Sequence, residues 1–326
     1  MIKGTPMRLL KMLAIAAALW LAIGAGSALA SDPCGRACLE KHLDSFLDAL
    51  TARDFRSLPL ARNLRSTENG QALRFGDGIW RTASARGKYK LYVTDEVAGQ
   101  VGFIGTIIEN GTPVLIALRL KVDEQLISEI EMIVTRPNYR PGGSEAGAGK
   151  RMEETGRPRP QLLQTVPAAE RMSREDLTRV ANSYFTGLAN NTVRYAAPFW
   201  DTCERWENGN ITTGRPRKTG GFDVLALGCR EQQESGFFAF VTDIRNRRYP
   251  IVDRERGLVL SWVFFDHSGA VPELRLSNGQ TMPSVVGAPL TYHIAELFQI
   301  RQGKIDQIEA VCLTVPYGMR SEIWDK

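Results

Sequence analysis

The chain has 326 residues, 43% of them hydrophobic and 24% charged, with a formal net charge of +5 at pH 7. Length and apolar content exclude a disordered or fibrous polypeptide and leave room for two ordinary domains with real cores. The basic residues form no stripe interleaved with aromatics, which argues against a nucleic-acid-binding surface.

Residues 1–30 read as a secretory signal peptide. Lys3, Arg8 and Lys11 precede an apolar run over residues 12–23, and Ala28, Leu29 and Ala30 give a small-x-small end before Ser31. An uncleaved anchor is the alternative, but the run is short for a membrane span and no later segment is long or apolar enough to cross a bilayer. No Cys directly follows the cleavage position, which disfavours a lipoprotein. The expected location is periplasmic or secreted, with no stable membrane span after cleavage. The leader takes three of the 41 basic residues and none of the 36 acidic ones, so the exported chain is close to neutral at +2. Export permits disulfides. Cys203 and Cys229 flank a Gly-rich insertion and form the favoured pair; Cys34 and Cys38 can join locally; Cys312 falls in a predicted strand as a buried free thiol. The cysteine spacings match no zinc pattern, and neither a metal nor an organic cofactor is expected.

Leu39, His42, Leu43, Phe46, Leu47 and Leu50 recur at spacings of three and four, one face of an amphipathic helix. The face returns 138 residues later in Leu177, Val180, Ala181, Tyr184, Phe185 and Leu188, behind an N-cap at Ser173. Pro59 then matches Pro198, and Glu68-Asn69-Gly70 matches Glu207-Asn208-Gly209, both at an offset of 139. Val93-Thr94-Asp95 matches Ile251-Val252-Asp253 at 158, and residues 127–131 match residues 305–309 at 178. The offset grows only in loops of the second copy, residues 211–237 and 267–289. Ordered matches with insertions confined to loops indicate an internal duplication. The expected domains are residues 31–136 and 172–326, joined by a linker or wrapping segment over 137–171 that is rich in Pro, Gly and charge. Each copy predicts a long helix, short helical or turn structure, an Asn-Gly hairpin signal and then three or four long strands. That order is an α+β pattern, a curved and mainly antiparallel sheet with its N-terminal helices on one face.

A helix, a turn, a hairpin and long strands ending in Phe298-Gln299-Ile300-Arg301-Gln302-Gly303-Lys304-Ile305 resemble the nuclear-transport-factor-2-like superfamily, which includes ketosteroid isomerase, the SnoaL polyketide cyclases, scytalone dehydratase and limonene epoxide hydrolase. The resemblance covers most of both copies and is carried by short motifs. In the first copy the matching turn, Asp123-Glu124-Gln125, departs from it. The resemblance implies two tandem cone-shaped domains, each with an apolar base and an open end, and acid–base chemistry on small hydrophobic substrates without metal or organic cofactor.

The internal copy serves as a control for candidate chemistry. Asp266, His267, His293, Glu296 and Tyr184 fall on Ile108, Glu109, Leu115, Leu118 and Phe46, so four of the five positions turn from apolar to polar in the second copy. Burying polar groups destabilises unless they are paired or used. Either the second copy holds the working pocket over a degenerate first copy, or its sheet has a solvated face there. Side chains alternate along a strand, so Asp266 and His267 point to opposite faces, as do His293 and Glu296. If the more apolar face of Tyr292, Ile294, Glu296, Phe298 and Ile300 is inward, Glu296 is a buried carboxyl of raised pKa and His293 faces out; if the sheet is inverted, the roles swap. Arg205 is a candidate for polarising an oxygen near the open end, and Trp262, Phe298 and Tyr317 are candidate substrate-binding residues. Arg247 reads as a solvated basic edge, His42 as structural, and Glu309, whose counterpart is Glu131, as a fold feature. Gly-x-Gly-x-x-Gly, Walker and Gly-x-Ser-x-Gly signatures are absent.

Two functions of different class follow. One is an exported, cofactor-independent lyase, isomerase or hydratase acting on a small, aromatic or terpenoid substrate. The other is a periplasmic small-molecule-binding or protein-interaction module without catalysis. Under either, the two copies are expected to pack as an intramolecular pseudo-dimer.

Overall fold

The computed structural model describes residues 34–137, 145–191, 196–217 and 222–325, together with Met1; the leader lies outside them. From Cys34 onward the chain forms one compact unit. In chain order its helices and strands are α1 (Arg36–Ala52), β1 (Leu60–Glu68), β2 (Ala83–Asp95), β3 (Gln100–Glu109), β4 (Thr112–Asp123), β5 (Leu126–Thr135), α2 (Ala148–Thr155), α3 (Arg174–Asn190), β6 (Phe199–Glu207), β7 (Asn210–Ile211), α4 (Cys229–Glu234), β8 (Asp243–Asp253), β9 (Leu258–His267), β10 (Glu273–Arg275), β11 (Thr281–Pro283), β12 (Leu290–Arg301) and β13 (Lys304–Val315). The architecture is α+β, with mixed sheets and few helices.

The first sheet has the order β1-β5-β4-β3-β2 and the second β7-β6-β13-β12-β9-β8. The long strands pair antiparallel except at one place in each sheet, where β1 runs parallel to β5 and β6 parallel to β13. The long helices and long strands of the two repeats correspond in order. α1 and α3 share both ends at the offset of 138, β1 and β6 at 139, β3 and β9 at 158, and β4 and β12 at 178. The Asn-Gly signals become turns with positive φ at both residues, 56° and 82° at Asn69 and Gly70, and 49° and 76° at Asn208 and Gly209. In both repeats the turn Asn side chain accepts from a backbone N–H of the last strand, Asn69 from Val134 and Asn208 from Cys312.

Three apolar cores result. One face of α1 and the inner face of the first sheet form a core around Phe46, Trp80 and Phe103. α3 and the inner face of the second sheet form another around Phe185 and Phe298. The third lies between the outer faces of the two sheets, where Tyr89, Leu91 and Ile104 meet Leu260, Trp262 and Leu297. Each such side chain contributes roughly 1.5–3 kcal/mol by leaving water. The approach is close at Gly102, where a Cβ would stand 2.6 Å from Leu260 Cδ2 and 2.8 Å from Ile251 Cδ1 and push those side-chain ends aside.

Polar contacts across the third core are reciprocal. Asp253 accepts from Arg36 and from the backbone N–H of Thr94, while Asp95 accepts from Arg174 and from the backbone N–H of Val252. These are equivalent positions of the two repeats, exchanged. Glu131 likewise pairs with Arg248 from the other repeat, and Glu309 accepts from the Tyr89 hydroxyl at 2.6 Å. The described part of the segment over 137–171 wraps the body: Arg159 is buried and donates to Gln307, to the Ile308 carbonyl and to Glu309.

Candidate functional site

The second repeat encloses a cavity of about 420 Å³ between α3, the inner face of the second sheet and the two insertions. Strand alternation decides who reaches it. On β12, Tyr292, Ile294 and Glu296 face the cavity, whereas His293, Ala295 and Leu297 face the first sheet. The more apolar face is thus the inner one. On β9, Phe265 and His267 face the cavity, and Trp262, Phe264 and Asp266 turn away.

Four polar groups converge on one wall. Arg205, 5% exposed, donates from Nη1 to the Tyr184 hydroxyl at 3.4 Å and from Nε to Thr212 Oγ1 at 3.0 Å, and it pairs with Glu207 at 3.0 Å. Its guanidinium lies over the Phe238 ring at 5.1 Å. Burial opposes its charge, but Tyr184 and Glu207 more than compensate, so it stays cationic. Burial, and then the field of Glu296, holds the Tyr184 phenol far above its ordinary range, so it remains a neutral donor. Glu296, 3% exposed, is pushed up to about 8, first by burial and next by the Glu207 carboxylate, with Arg205 and Tyr184 pulling the other way. Its Oε2 has no hydrogen-bond partner among the described residues. At neutral pH the cavity therefore holds a protonated carboxylic acid beside a neutral phenol.

His267 forms part of a second wall. Its ring stacks on Phe240 at 5.6 Å and meets the edge of Tyr292 at 4.9 Å. The remaining surface is apolar apart from Thr212 and Arg217, with Leu188, Phe222, Phe237 and Val286, and Val285 at the rim is 52% exposed. Both insertions contribute, the first through Phe222, Val224, Leu225 and Phe237, followed directly by Phe238 and Phe240, and the second through Met282, Val285 and Val286. The Cys203–Cys229 disulfide fixes the first insertion by joining α4 to β6. Cys34–Cys38 is the other disulfide, and Cys312 is a buried free thiol at the cavity wall, as expected. Disulfides of this kind belong to proteins matured in oxidising compartments. Among the described residues no helix is long and apolar enough to cross a membrane.

The cavity brings together Glu296, Tyr184, Arg205 and His267 and leaves out the other candidates. Asp266 lies on the opposite face, where hydrogen bonds from Arg245 and Thr291 outweigh burial and hold its carboxyl below the ordinary range. His293 is fully buried against Phe264, 4.4 Å between ring centroids, and burial lowers its pKa to about 4. Trp262 belongs to the core between the sheets because it shares the outer face with Asp266. Phe298 is core beneath Tyr184, at 5.1 Å, and is not a wall. Tyr317 follows β13, 51% exposed and away from the cavity. Arg247 is not a solvated edge: it is half-buried over Phe185 and donates to Thr186. Sequence reasoning missed Glu207, whose match to Glu68 made it read as part of a turn, and Ala310, whose small size signals space. The aromatic cluster Phe237, Phe238 and Phe240 was legible as an apolar run where the first insertion ends.

The first repeat shows what the same frame looks like when filled. Leu118 stands at the Glu296 position, Met132 at Ala310, and Phe46 at Tyr184, packed edge-on against Trp80 at 5.2 Å. Arg136 pairs with both Glu109 and Glu68, the positions of His267 and Glu207, and so ties together what the cavity keeps apart.

Residues 170–312, the repeat that holds the cavity, match the model of a family described as a domain of unknown function (DUF8021). No curated protein matches the chain. Among solved structures the chain is similar to a de novo designed protein with a curved β-sheet, at 15% identity and a TM-score of 0.23, covering 43% of this chain and 87% of the designed one.

Proposed function

We propose that this is an exported, cofactor-independent lyase, isomerase or hydratase that moves a proton on a small, largely apolar, aromatic or terpenoid substrate in the cavity of the second repeat. The observation that carries this reading is Glu296, a buried carboxyl pushed up to about 8 with one oxygen unpartnered among the described residues, on the wall of an aromatic cavity. Protonated at neutral pH, it is the general acid toward a substrate oxygen. Tyr184, backed by Arg205, donates to that oxygen, and His267 accepts the proton from substrate carbon. The volume suits a small ligand. The likeness to the nuclear-transport-factor-2-like superfamily and its cone-shaped domains is part of the proposal and rests on the order of a long helix followed by long, mainly antiparallel strands in each repeat. The exchanged Arg36–Asp253 and Arg174–Asp95 contacts support a pseudo-dimer of the two repeats, since a two-fold interface repeats each contact with partners swapped.

One feature favours the rival, ligand carriage without chemistry: His267 is held by Phe240 and Tyr292 as a wall aromatic. A panel of small aromatic and terpenoid alcohols, ketones and enones, followed by NMR for binding and conversion, separates the two. Conversion is expected, with Glu296→Gln slowing it on the order of 10²–10⁴-fold while the ligand still binds. Ala310→Met, which installs the first repeat's residue, is expected to abolish binding. A ligand that binds but is never converted, or conversion indifferent to Glu296→Gln, overturns the enzymatic reading.

A further inference from the structure

The start of α1, outside the cavity, gathers three side chains of metal-ligating type. Cys34, Cys38 and His42 are spaced four residues apart, so they stack along one side of the helix and the residue that leads into it. Their donor atoms all lie within 4.8 Å of one another, and all three residues are half-buried. The Gln125 carboxamide oxygen, in the turn between β4 and β5, lies 3.2 Å from Cys38 Sγ and 3.4 Å from His42 Nε2 and closes a further side. The helix end itself differs from that of its counterpart. α3 is capped by the Ser173 side chain and carries Glu175 and Asp176 in its first turn; at α1 the N-cap Gly35 has no side chain and the first turn no acid, and the one side-chain acceptor is Glu96, which takes the Arg36 N–H at 3.0 Å. The N–H groups left uncapped at a helix start favour a thiolate nearby. The equivalent residues of the second repeat are Met172, Asp176 and Val180, with Gly303 in place of Gln125, so this set is peculiar to the first repeat.

We propose that Cys34, Cys38 and His42 form a redox-gated metal site. In the oxidised form the Cys34–Cys38 bond ties up both sulfurs and staples the start of α1. A thiol reductant breaks that bond, leaving two cysteine thiols while the reductant becomes its own disulfide. The site then offers two thiolates and an imidazole, with Gln125 or water in the fourth position. Such a nitrogen–sulfur set suits Zn²⁺, and binding releases the two thiol protons. Tetrahedral ligands around zinc stand roughly 3.5–4 Å apart, so closing the set requires side-chain rotation only. The motif escapes a search for zinc patterns because a single Cys pair and one His lack the second ligand pair that such patterns require.

The test uses the full protein, reduced with a phosphine under anaerobic conditions, desalted and titrated with Co²⁺ and then Zn²⁺. Reduced protein is expected to bind one Co²⁺ with a thiolate charge-transfer band that Zn²⁺ bleaches, and oxidised protein to show no band. Cys34→Ser and Cys38→Ser should abolish the band, and His42→Val should weaken binding tenfold or more. Alkylation mapped by mass spectrometry gives a readout on the unmodified chain: Zn²⁺ should protect Cys34 and Cys38 but not Cys312. Absence of stoichiometric Co²⁺ binding, alkylation of Cys34 and Cys38 indifferent to Zn²⁺, or a band that survives Cys34→Ser overturns the proposal.

Discussion

Glu296 shows how one substitution in a duplicated frame changes chemistry. Its counterpart Leu118 is an ordinary core residue, and the carboxyl is tolerated because it stays protonated. The folded chain then keeps a proton that the unfolded chain loses above about 4.5, so this contribution to stability is full below that pH and is lost as pH rises through about 8. Stability of the wild type should therefore decline between those values by a few kcal/mol, and Glu296→Gln should flatten the decline in urea melts taken across pH. Glu207→Gln should lower the Glu296 pKa read by ¹³C NMR, because the Glu207 charge is the second cause of its rise. An unmoved Glu296 would mean that burial alone sets its proton affinity.

The decisive elements are the insertions. The sheet and α3 supply one half of the cavity, and the segments after β7 and after β9 supply the other. Most of both segments has no counterpart in the first repeat; only the turn Phe237–Phe240 corresponds, to Gly78–Arg81, where Trp80 stands at the Phe238 position and with Met132 takes the space. The first insertion is held by α4, and α4 by Cys203–Cys229, a bond that spans 26 residues of sequence. Loss of this crosslink through Cys203→Ser with Cys229→Ser should cost about 2–4 kcal/mol in chemical denaturation. It should also weaken cavity ligands more than it weakens the fold, because Phe237 and Phe238 lose their anchor. Equal affinity in the crosslinked and uncrosslinked proteins would show that the aromatic wall stands without α4.

Across the whole molecule, the two sheets are joined back to back and His293 sits in the seam. It packs on Phe264, and neither ring nitrogen has a hydrogen-bond partner among the described residues. Burial lowers its pKa to about 4; Glu131 acts against this, and Arg248 and Arg245 reinforce it. The unfolded chain takes up a proton below about 6.5 that the folded chain refuses until about 4, so stability present above 6.5 is lost as pH falls. The loss should be on the order of 3 kcal/mol by pH 4. His293→Leu, the residue at this position in the first repeat, should remove that slope in melts between pH 4 and 7. An unchanged slope would place the acid sensitivity of the seam in its carboxylates.

Sequence alone marked the duplication, the apolar face of both long helices, the Asn-Gly turns, Cys203 and Cys229 as the favoured disulfide pair, and the opposition of faces between Asp266 and His267 and between His293 and Glu296. These are local or periodic properties, written in spacing and in comparison of one repeat with the other. Which face is inward was decided by tertiary structure, because Trp262, Leu297 and Ala295 make the outer face apolar as well: it is covered by a second sheet and not by water. The same packing separated Glu296 from His293 and sent Trp262 into the seam. It also assembled Arg205, Glu207, Tyr184 and Glu296 from α3, β6 and β12, segments whose approach is set by sheet order and loop insertion and leaves no mark in the spacing of residues along the chain.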